Sequence, residues 1–427
     1  MTKRLLLIIL VGLAAFFYIR YGMQGGGKKV QAMPAQNRSV TRQMDALAYL
    51  NHIRQQSGLQ PFARSELLER SASAHADYLI DFPEDGHDEK HSNSPLFTGR
   101  TPAIRMARAG YETEWIQENV STHRAGSIPD LNVNEEHRQL DGLFTAIYHR
   151  FSLLTQTADE AGIGYAQGKD RIALVVNEGN GVLNRLCSAQ ISGQVRSSPH
   201  AWTGVCRRGV LYIDQLPENR YLPYVAYPQG SDARPDYHSE IPDPMPGHEV
   251  TGNPVSIEFK PRGKDEPLGI GMLSFDLYQG GRQIKDVKVL TSDNDPNRLF
   301  NDHQFALFPL QPLEYDTEYR AVFRYIEKGQ EKEAAWTFRT KRPDFPWFDM
   351  KGKTRAAIKP DQVYFIRWDG KGCLKNCPAL HYRQIDKAVL TIHQNLADGI
   401  LVSVKGRGQI RLFREDRPKD VLTLEVD

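Results

Sequence analysis

The sequence lacks an excess of one charge, internal repeats and long blocks of like charge. Its 427 residues contain 54 Lys and Arg against 52 Asp and Glu, a formal net charge of +2. No basic stripe alternates with aromatic residues, so nucleic acid is a poor candidate partner. The length and the absence of a fixed period predict a string of unlike globular modules.

Common catalytic and cofactor-binding signatures are also missing. The chain contains no G-x-S-x-G elbow, no H-E-x-x-H helix, no phosphate-binding P-loop and no dinucleotide fingerprint. The serines have no spacing that marks a nucleophile. We therefore do not expect a member of the enzyme classes that these motifs define.

Cysteine is scarce, and its four residues form two pairs that are each close in sequence: Cys187 with Cys206, and Cys373 with Cys377. Neither pair has the doubled CxxC spacing of a zinc ribbon, and no haem-type CxxCH occurs. Two local disulfides are the simplest interpretation, with free buried thiols as the alternative. Disulfides would indicate a compartment outside the cytoplasm.

Long apolar runs are absent except near the N-terminus. There an apolar run over residues 5–19 follows Lys3 and Arg4 and is broken by Arg20. The run is shorter than a spanning helix of about 20 residues, and no Ala-x-Ala cleavage pattern follows it. We predict an export segment over 1–24, either a signal anchor in the cytoplasmic membrane or a signal peptide. A flexible linker over 25–41 would follow, and the rest would lie on the periplasmic side of a bacterial envelope or be secreted.

Helical periodicity dominates the chain as far as about residue 180. It predicts four helices, bounded in part by Thr101-Pro102 as an N-terminal cap and by glycines as stops. A strand-like run over 172–176 adds β structure, so this part is mixed α and β. The predicted helices are residues 42–57, 65–82, 103–109 and 140–150.

Beyond about residue 181, alternating apolar residues predict antiparallel β structure. We assign an immunoglobulin-like (Ig-like) β-sandwich to 247–341 and a small β-rich domain to 345–427. Turns are expected at Asp369-Gly370 and Asp398-Gly399. The predicted fold class is multi-domain α+β.

Several fragments between residues 50 and 164 occur in an order that resembles the CAP superfamily, the group of cysteine-rich secretory proteins, antigen 5 and pathogenesis-related proteins. The resemblance implies an α-β-α sandwich, which we place at 42–230, with a central cavity lined by two histidines and two acids. The fragments are Leu50-Asn51-His52-Ile53-Arg54, Gly58-Leu59-Gln60-Pro61, Ala74-His75-Ala76, His91, Ala109-Gly110-Tyr111, Glu118-Asn119-Val120, His149-Arg150 and Gly162-Ile163-Gly164.

By this resemblance His91, Glu118 and His149 line the cavity, and the second acid is not matched. Its candidates are Glu135, Glu136 and Asp141. On one continuous helix, Asp141 would lie about 12 Å from His149, too far to share an ion. His91 and His149 could bind a divalent metal such as zinc weakly, and a polar hydrogen-bonded cluster is the alternative.

Two further polar features have structural interpretations. His75 lies on the apolar face of the second predicted helix, where a packing histidine is expected. The acidic run over 81–89 invites a calcium site, but Pro83 and Ser92 occupy two of the positions that would ligate the ion. We interpret that run as a solvated loop.

The incomplete cavity and the appended β domains favour a non-catalytic envelope module that binds a wall component, a peptide or another ligand. One alternative is a metal-assisted hydrolase, resembling a peptidase, in which His91 and His149 hold the ion and Glu118 is the general base. Lipid binding is a further alternative, which only the resemblance implies.

Overall fold

The computed structural model describes residues 27–36, 43–124, 134–192, 200–215, 221–237, 240–260, 269–368, 373 and 377–426. The chain forms two compact units, Gln36–Arg342 and a second that combines Met1–Ala35 with Pro343–Asp427. The predicted export segment, 1–24, lies outside the described residues. Within those residues, no helix has both the length and the apolar character needed to cross a membrane.

The predicted flexible linker over 25–41 is in part a strand. Lys28–Lys29 forms β1, which pairs in parallel with Thr354 and Arg355, and Met33 forms a bridge with Trp347. The prediction is wrong for this stretch because its backbone hydrogen bonds are supplied by residues more than 300 positions later in the chain. No local periodicity records such a partner.

The first part of the unit Gln36–Arg342 is a four-stranded sheet with helices on both faces. Leu174 and Val176 pack in one cluster with α1 and α4, whereas Ala173 and Val175 pack against α2. The sheet order is β2-β4-β5-β3, with β2 parallel to β4 and the other pairs antiparallel. The elements are α1 (Ala46–Gln56), β2 (Ala63–Arg64), α2 (Glu66–Asp81), α3 (Pro102–Arg108), β3 (Ile116–Arg124), α4 (Glu135–Thr145), α5 (Ile147–Leu153), β4 (Glu160–Gln167), β5 (Arg171–Gly179) and α6 (Gly181–Ile191).

Gly162 and Gly164 on β4 allow close contact with α2. A Cβ atom at Gly162 would lie 2.0 Å from the backbone nitrogen of Glu69, and one at Gly164 would lie 2.2 Å from the carbonyl carbon of Ala72. Any larger residue would therefore push the helix away from the sheet. Strand β4 therefore passes close to α2 at both glycines.

The helix predicted over 140–150 is broken at Ala146, whose ψ of 114° is extended, so α4 ends at Thr145 and α5 begins at Ile147. Asp141 and His149 therefore do not share one continuous helix, and the 12 Å estimate does not apply. Asp141 instead accepts a hydrogen bond from the Tyr49 hydroxyl at 2.6 Å and pairs with Lys341 at 2.9 Å. Asp141 is thus a buried residue that holds α1 in place through Tyr49.

Two antiparallel sheets that share one core complete this unit; we call residues 224–339 the paired-sheet region. Its main strands are β8 (Tyr224–Tyr227), β11 (Val255–Phe259), β12 (Ile270–Gln279), β13 (Arg282–Gln283), β14 (Val287–Leu290), β15 (Gln304–Pro309), β16 (Glu318–Glu327) and β17 (Gln330–Arg339). The sheet orders are β14-β15-β11-β8 and β13-β12-β16-β17, and Ile257 and Phe323 pack in the shared core. The antiparallel structure is as predicted, and the Ig-like topology stays a prediction.

Two boundaries differ from the sequence prediction. Helix α6 begins at Gly181 and ends at Ile191, in a region that was predicted to contain only β structure. Strand β8 lies inside the range predicted for the first domain, 42–230, yet it pairs with β11. Its alternate side chains divide between two cores: Val225 and Tyr227 join the helical core and Ala226 joins the paired sheets. Short pairs connect the remainder: β6 (Ala201–Trp202) with β7 (Leu211–Tyr212), and β9 (Asp236–Tyr237) with β10 (Thr251–Gly252).

The second unit is β-rich, as predicted for 345–427. Its sheets, β1-β19-β25-β24-β21 and β18-β20-β23-β22, share a core that includes Ile366 and Leu422. The Asp398-Gly399 hairpin is confirmed, since Leu396 pairs with Gly399; the Asp369-Gly370 turn lies outside the described residues. The strands are β18 (Trp347–Met350), β19 (Lys353–Ala357), β20 (Tyr364–Trp368), β21 (Leu380–Asp386), β22 (Val389–Leu396), β23 (Gly399–Lys405), β24 (Gly408–Arg414) and β25 (Arg417–Val426).

Candidate functional site

Glu118 lies on β3 with only 2% of its side chain exposed. Both of its carboxylate oxygens accept hydrogen bonds from Nη2 of Arg105, at 2.8 Å each, and Nδ1 of His87 lies 3.1 Å from Oε1. Burial raises the pKa of this carboxyl, but the His87 hydrogen bond and the Arg105 charge outweigh it and hold the pKa below its usual value. Glu118 is therefore a buried carboxylate.

The histidine that the structure brings to Glu118 is His87, four positions before His91. His91 stacks on Phe82 with ring centroids 4.1 Å apart, and its Nε2 lies 3.9 Å from Asp85 Oδ1. The two histidines share one loop between α2 and α3, which has no period to indicate which one turns inward. The match by fragment order selected His91.

The ligand atoms of Glu84, Asp85 and His91 lie within 4.8 Å of one another. Asp85, however, is buried and already accepts hydrogen bonds from the Tyr78 hydroxyl at 2.5 Å and the Lys90 backbone at 2.8 Å. Glu89, in the same acidic run, is also buried. The interpretation of the whole run as a solvated loop is therefore wrong, because two of its acids hold the loop against α2.

His75 is the packing histidine that the sequence predicts. It is fully buried; its Nδ1 lies 3.1 Å from Glu89 Oε1 and its Nε2 lies 2.9 Å from the Gly86 carbonyl oxygen. Its Nε2 also lies 4.0 Å from Glu118 Oε1. His75 thus supports the loop that carries His87 and does not reach solvent.

His149, on α5, pairs with an acid that the sequence did not indicate. Its Nδ1 lies 2.7 Å from Oε1 of Glu240, a fully buried side chain 91 positions later. The same oxygen accepts the backbone N–H groups of Tyr148 and His149 at the start of α5. The other oxygen, Oε2, is buried without a hydrogen-bond partner in the described part of the chain. No periodicity or motif around Glu240 signals this role.

The two histidine–carboxylate pairs lie side by side. The rings of His87 and His149 are 6.3 Å apart between centroids, with planes inclined by 21°. Of the three residues predicted for the cavity, the structure thus places Glu118 and His149 in this cluster, and His87 and Glu240 are the members that sequence reasoning missed. Glu135 pairs instead with Arg138, and Glu136 lies beside it in the first turn of α4.

The cluster fits a weakly bound metal better than a tightly bound one. In each pair a carboxylate holds Nδ1, which leaves Nε2 as the ligand atom and orients the ring, as carboxylates do behind metal-binding histidines. A catalytic zinc site takes three protein ligands, and the described residues bring no third one to His87 and His149. These two residues would hold an exchangeable ion.

A second buried acid, Glu178, lies on β5 opposite Gln117, the residue that precedes Glu118 on β3. It accepts hydrogen bonds from Asn119 Nδ2 at 2.9 and 3.1 Å, and Ser152 Oγ lies 3.3 Å away. Desolvation raises the pKa of Glu178 to about 8, against the opposing charge of Arg54. Near neutral pH this carboxyl is protonated.

We expect Glu178→Gln to flatten the dependence of stability on pH. Because the folded-state pKa of Glu178 is raised from 4.5 to about 8, the folded protein binds more protons than the unfolded chain between these values. Its contribution is present below about pH 4.5 and is lost as the pH rises through about 8. Urea midpoints measured from about pH 5 to about pH 8.5 should fall less in Glu178→Gln than in wild type. Equal falls, or the same flattening in the exposed control Glu66→Gln, would contradict the assignment.

Residues 47–177 match the family described as "CAP: Cysteine-rich secretory protein family". The chain therefore contains a CAP domain, and the match agrees with the order of sequence fragments between residues 50 and 164. Both Glu240 and the paired-sheet region lie outside the matched range.

Comparisons with solved structures give weak similarities. An outer surface protein from Borrelia burgdorferi is 15% identical, with a TM-score of 0.27, over 35% of this chain and 98% of that one. Tandem Ig domains of titin are 12% identical, with a TM-score of 0.15, over 41% and 87%. The Plasmodium falciparum protein Pf12p is 8% identical, with a TM-score of 0.19, over 37% and 83%. These scores support no argument about fold or function, and no curated protein matches the chain.

Proposed function

We propose that this protein is an extracytoplasmic, envelope-associated bacterial module whose CAP domain binds a ligand without converting it. Its location is supported by two disulfides, Cys187–Cys206 and Cys373–Cys377, with Cα atoms 5.4 and 5.5 Å apart, because disulfides persist in oxidising compartments. In this proposal the N-terminal segment holds the protein at the cytoplasmic membrane. The Ig-like and C-terminal β domains present the CAP domain to a wall component or peptide.

The observation that carries the proposal is that both carboxylate oxygens of Glu118 are already hydrogen-bonded to Arg105. A general base needs a pKa near the working pH and a lone pair directed at the proton that it removes. Both oxygens of Glu118 accept from Arg105, and its pKa is lowered. Glu118 is therefore a fixed charge that orients His87, which suits recognition better than proton transfer.

The test is a search for turnover. The purified full chain is incubated with bacterial envelope extract, and mass spectrometry compares the soluble products with those of extract alone. We expect retention of an envelope component and no new cleavage product. Reproducible turnover that disappears in His149→Ala but persists in the histidine control His381→Ala would overturn the proposal.

The second candidate is a metal-assisted hydrolase, favoured by the two histidines whose Nδ1 atoms are held by carboxylates. Zinc calorimetry should show weak binding to wild type that the His87→Ala, His149→Ala double variant loses. His91→Ala should keep it, whereas the assignment from sequence, with His91 and His149 as ligands, predicts its loss. Identical heats for wild type and the double variant would contradict both metal binding at these histidines and the metal-assisted hydrolase.

A further inference from the structure

A cavity of about 530 Å³ lies between the CAP domain and the paired-sheet region, both within the unit Gln36–Arg342. Its CAP-side wall includes Gln117, Ser152 and Gln156, and its opposite wall includes Glu258, His303 and Gln304. Pockets of about 300–1,000 Å³ hold small-molecule ligands. We call this cavity the junction pocket.

Most of the described residues that line the junction pocket are polar; they include Glu118, and none of them is a lysine or arginine. Amide and hydroxyl groups dominate it, and each can both donate and accept hydrogen bonds. A ligand with several neutral hydroxyl groups matches such a lining, because each hydroxyl is also both donor and acceptor. Among the described lining residues, an anionic ligand would meet the carboxylate of Glu118, which is already paired with Arg105, and no lysine or arginine. An extended acyl chain would leave the polar groups unpaired.

Two aromatic side chains complete the wall on the α5 side. Tyr148 donates its hydroxyl to Asp295 at 2.5 Å, and Phe151 packs edge-on against Phe300 with centroids 5.3 Å apart. Both rings are thereby fixed in position. A pyranose ring has an apolar C–H face as well as hydroxyl edges, so fixed aromatic rings beside amides suit it.

The pocket also has hydrogen-bonding capacity that the protein does not use. Oε1 of Gln156 accepts from the Leu222 backbone at 2.6 Å, which sets the orientation of the amide. Its Nε2 is shielded from solvent and lacks a partner among the described residues. A buried donor without a partner is destabilising, and an acceptor on a ligand would satisfy it once the amide turns toward the pocket.

Glu258 is the second directional group. It accepts from Gln304 Nε2 at 2.7 Å, and His303 Nε2 lies 4.0 Å from its Oε1. Burial raises the pKa of Glu258 to about 7. Its carboxyl can therefore donate as well as accept near neutral pH, as a hydroxyl ligand requires.

We propose that the junction pocket binds a neutral saccharide of one or two pyranose rings, with Gln156 and Gln304 as hydrogen-bonding residues and Phe151 against the ring face. This inference rests on the binding function proposed above and names its ligand class. It also assigns part of the site to the paired-sheet region, outside the residues that match the CAP family.

The test uses the full chain on an array of neutral mono- and disaccharides, which includes cellobiose and N,N′-diacetylchitobiose, followed by calorimetry. We expect at least one saccharide to bind, and Gln156→Ala and Gln304→Ala each to weaken that binding about tenfold. The exposed control Gln330→Ala should bind as wild type does. Urea midpoints equal to that of wild type establish that each variant is folded.

Each result has a defined meaning. Absence of binding to every saccharide, or unchanged affinity in both pocket variants, would overturn the inference. If the saccharide binds and is then cleaved, as seen by mass spectrometry, the inference holds and the non-catalytic function fails. If no saccharide binds but an envelope component is still retained without cleavage, only the inference fails.

Discussion

Replacing Arg105 with alanine is expected to lower the free energy of unfolding by about 3–5 kcal/mol, the range for breaking a buried ion pair from one side. The Arg105 side chain is fully buried and bonds both oxygens of Glu118. It also donates to the carbonyl oxygens of Gly99 and His87 at 3.1 and 2.9 Å. Its loss leaves the buried carboxylate of Glu118 without the guanidinium charge that pairs with it.

The measurement is urea unfolding of Arg105→Ala beside Arg100→Ala, an exposed arginine on the same loop, for which we expect a change within about 0.5 kcal/mol. The difference in the free energy of unfolding between Arg105→Ala and wild type should become smaller at acidic pH. The pKa of Glu118 is lowered in the wild type, so the stability from its charge is present above the ordinary value of 4.5 and is lost as the pH falls through the lower folded value. A difference that is small at neutral pH, or constant with pH, would contradict the buried pair.

Replacing Arg150 with alanine is expected to destabilise the unit Gln36–Arg342 by roughly 3 kcal/mol or more, since each buried group left without a partner costs about 1–3 kcal/mol. Its fully buried guanidinium donates to the Phe144 carbonyl at 2.6 Å, the Pro254 carbonyl at 2.5 Å and Asn253 Oδ1 at 2.5 Å. It also lies 4.7 Å from the ring centroid of Tyr227. The Arg150 side chain thus connects the break between α4 and α5 to the residues just before β11.

Hydrogen exchange on the full chain gives the location as well as the size of this effect. Arg150→Ala should accelerate exchange in residues 147–153 and 253–257, with urea unfolding reporting the total loss. Arg150→Lys keeps the charge but not the planar fork, so its loss should be intermediate. The exposed control Arg282→Ala should match wild type in both measurements. Exchange that is unchanged in both segments would show that Arg150 does not join them.

Features with a local chemical cause were predictable from sequence. Thr101 accepts from the Ile104 N–H and Pro102 begins α3, as their capping chemistry requires. The two local cysteine pairs form disulfides, and Asp398-Gly399 forms a hairpin turn. The order of short fragments indicated the CAP domain, whose family match covers 47–177.

The candidate site was only partly predictable. Glu118 and His149 lie in the cluster, but His87 could not be separated from His91, because both lie in a loop whose path depends on the burial of Asp85, Glu89 and His75. The break at Ala146 was hidden by a continuous apolar stripe, since periodicity records which face is buried and not whether the backbone turns.

The capped helix at Thr101, the alternating strands, the disulfide pairs and the presence of a CAP domain could be predicted from sequence, because each depends on residues close in the chain or on a fixed order of fragments. Three features depend on long-range packing: the pairing of Glu240 with His149, the sheet that joins β1 to β19, and the wall of the junction pocket that β11 and β15 supply. Those contacts join residues from about 90 to over 300 positions apart. They arise from the packing of separate modules, and no local pattern of polarity encodes them.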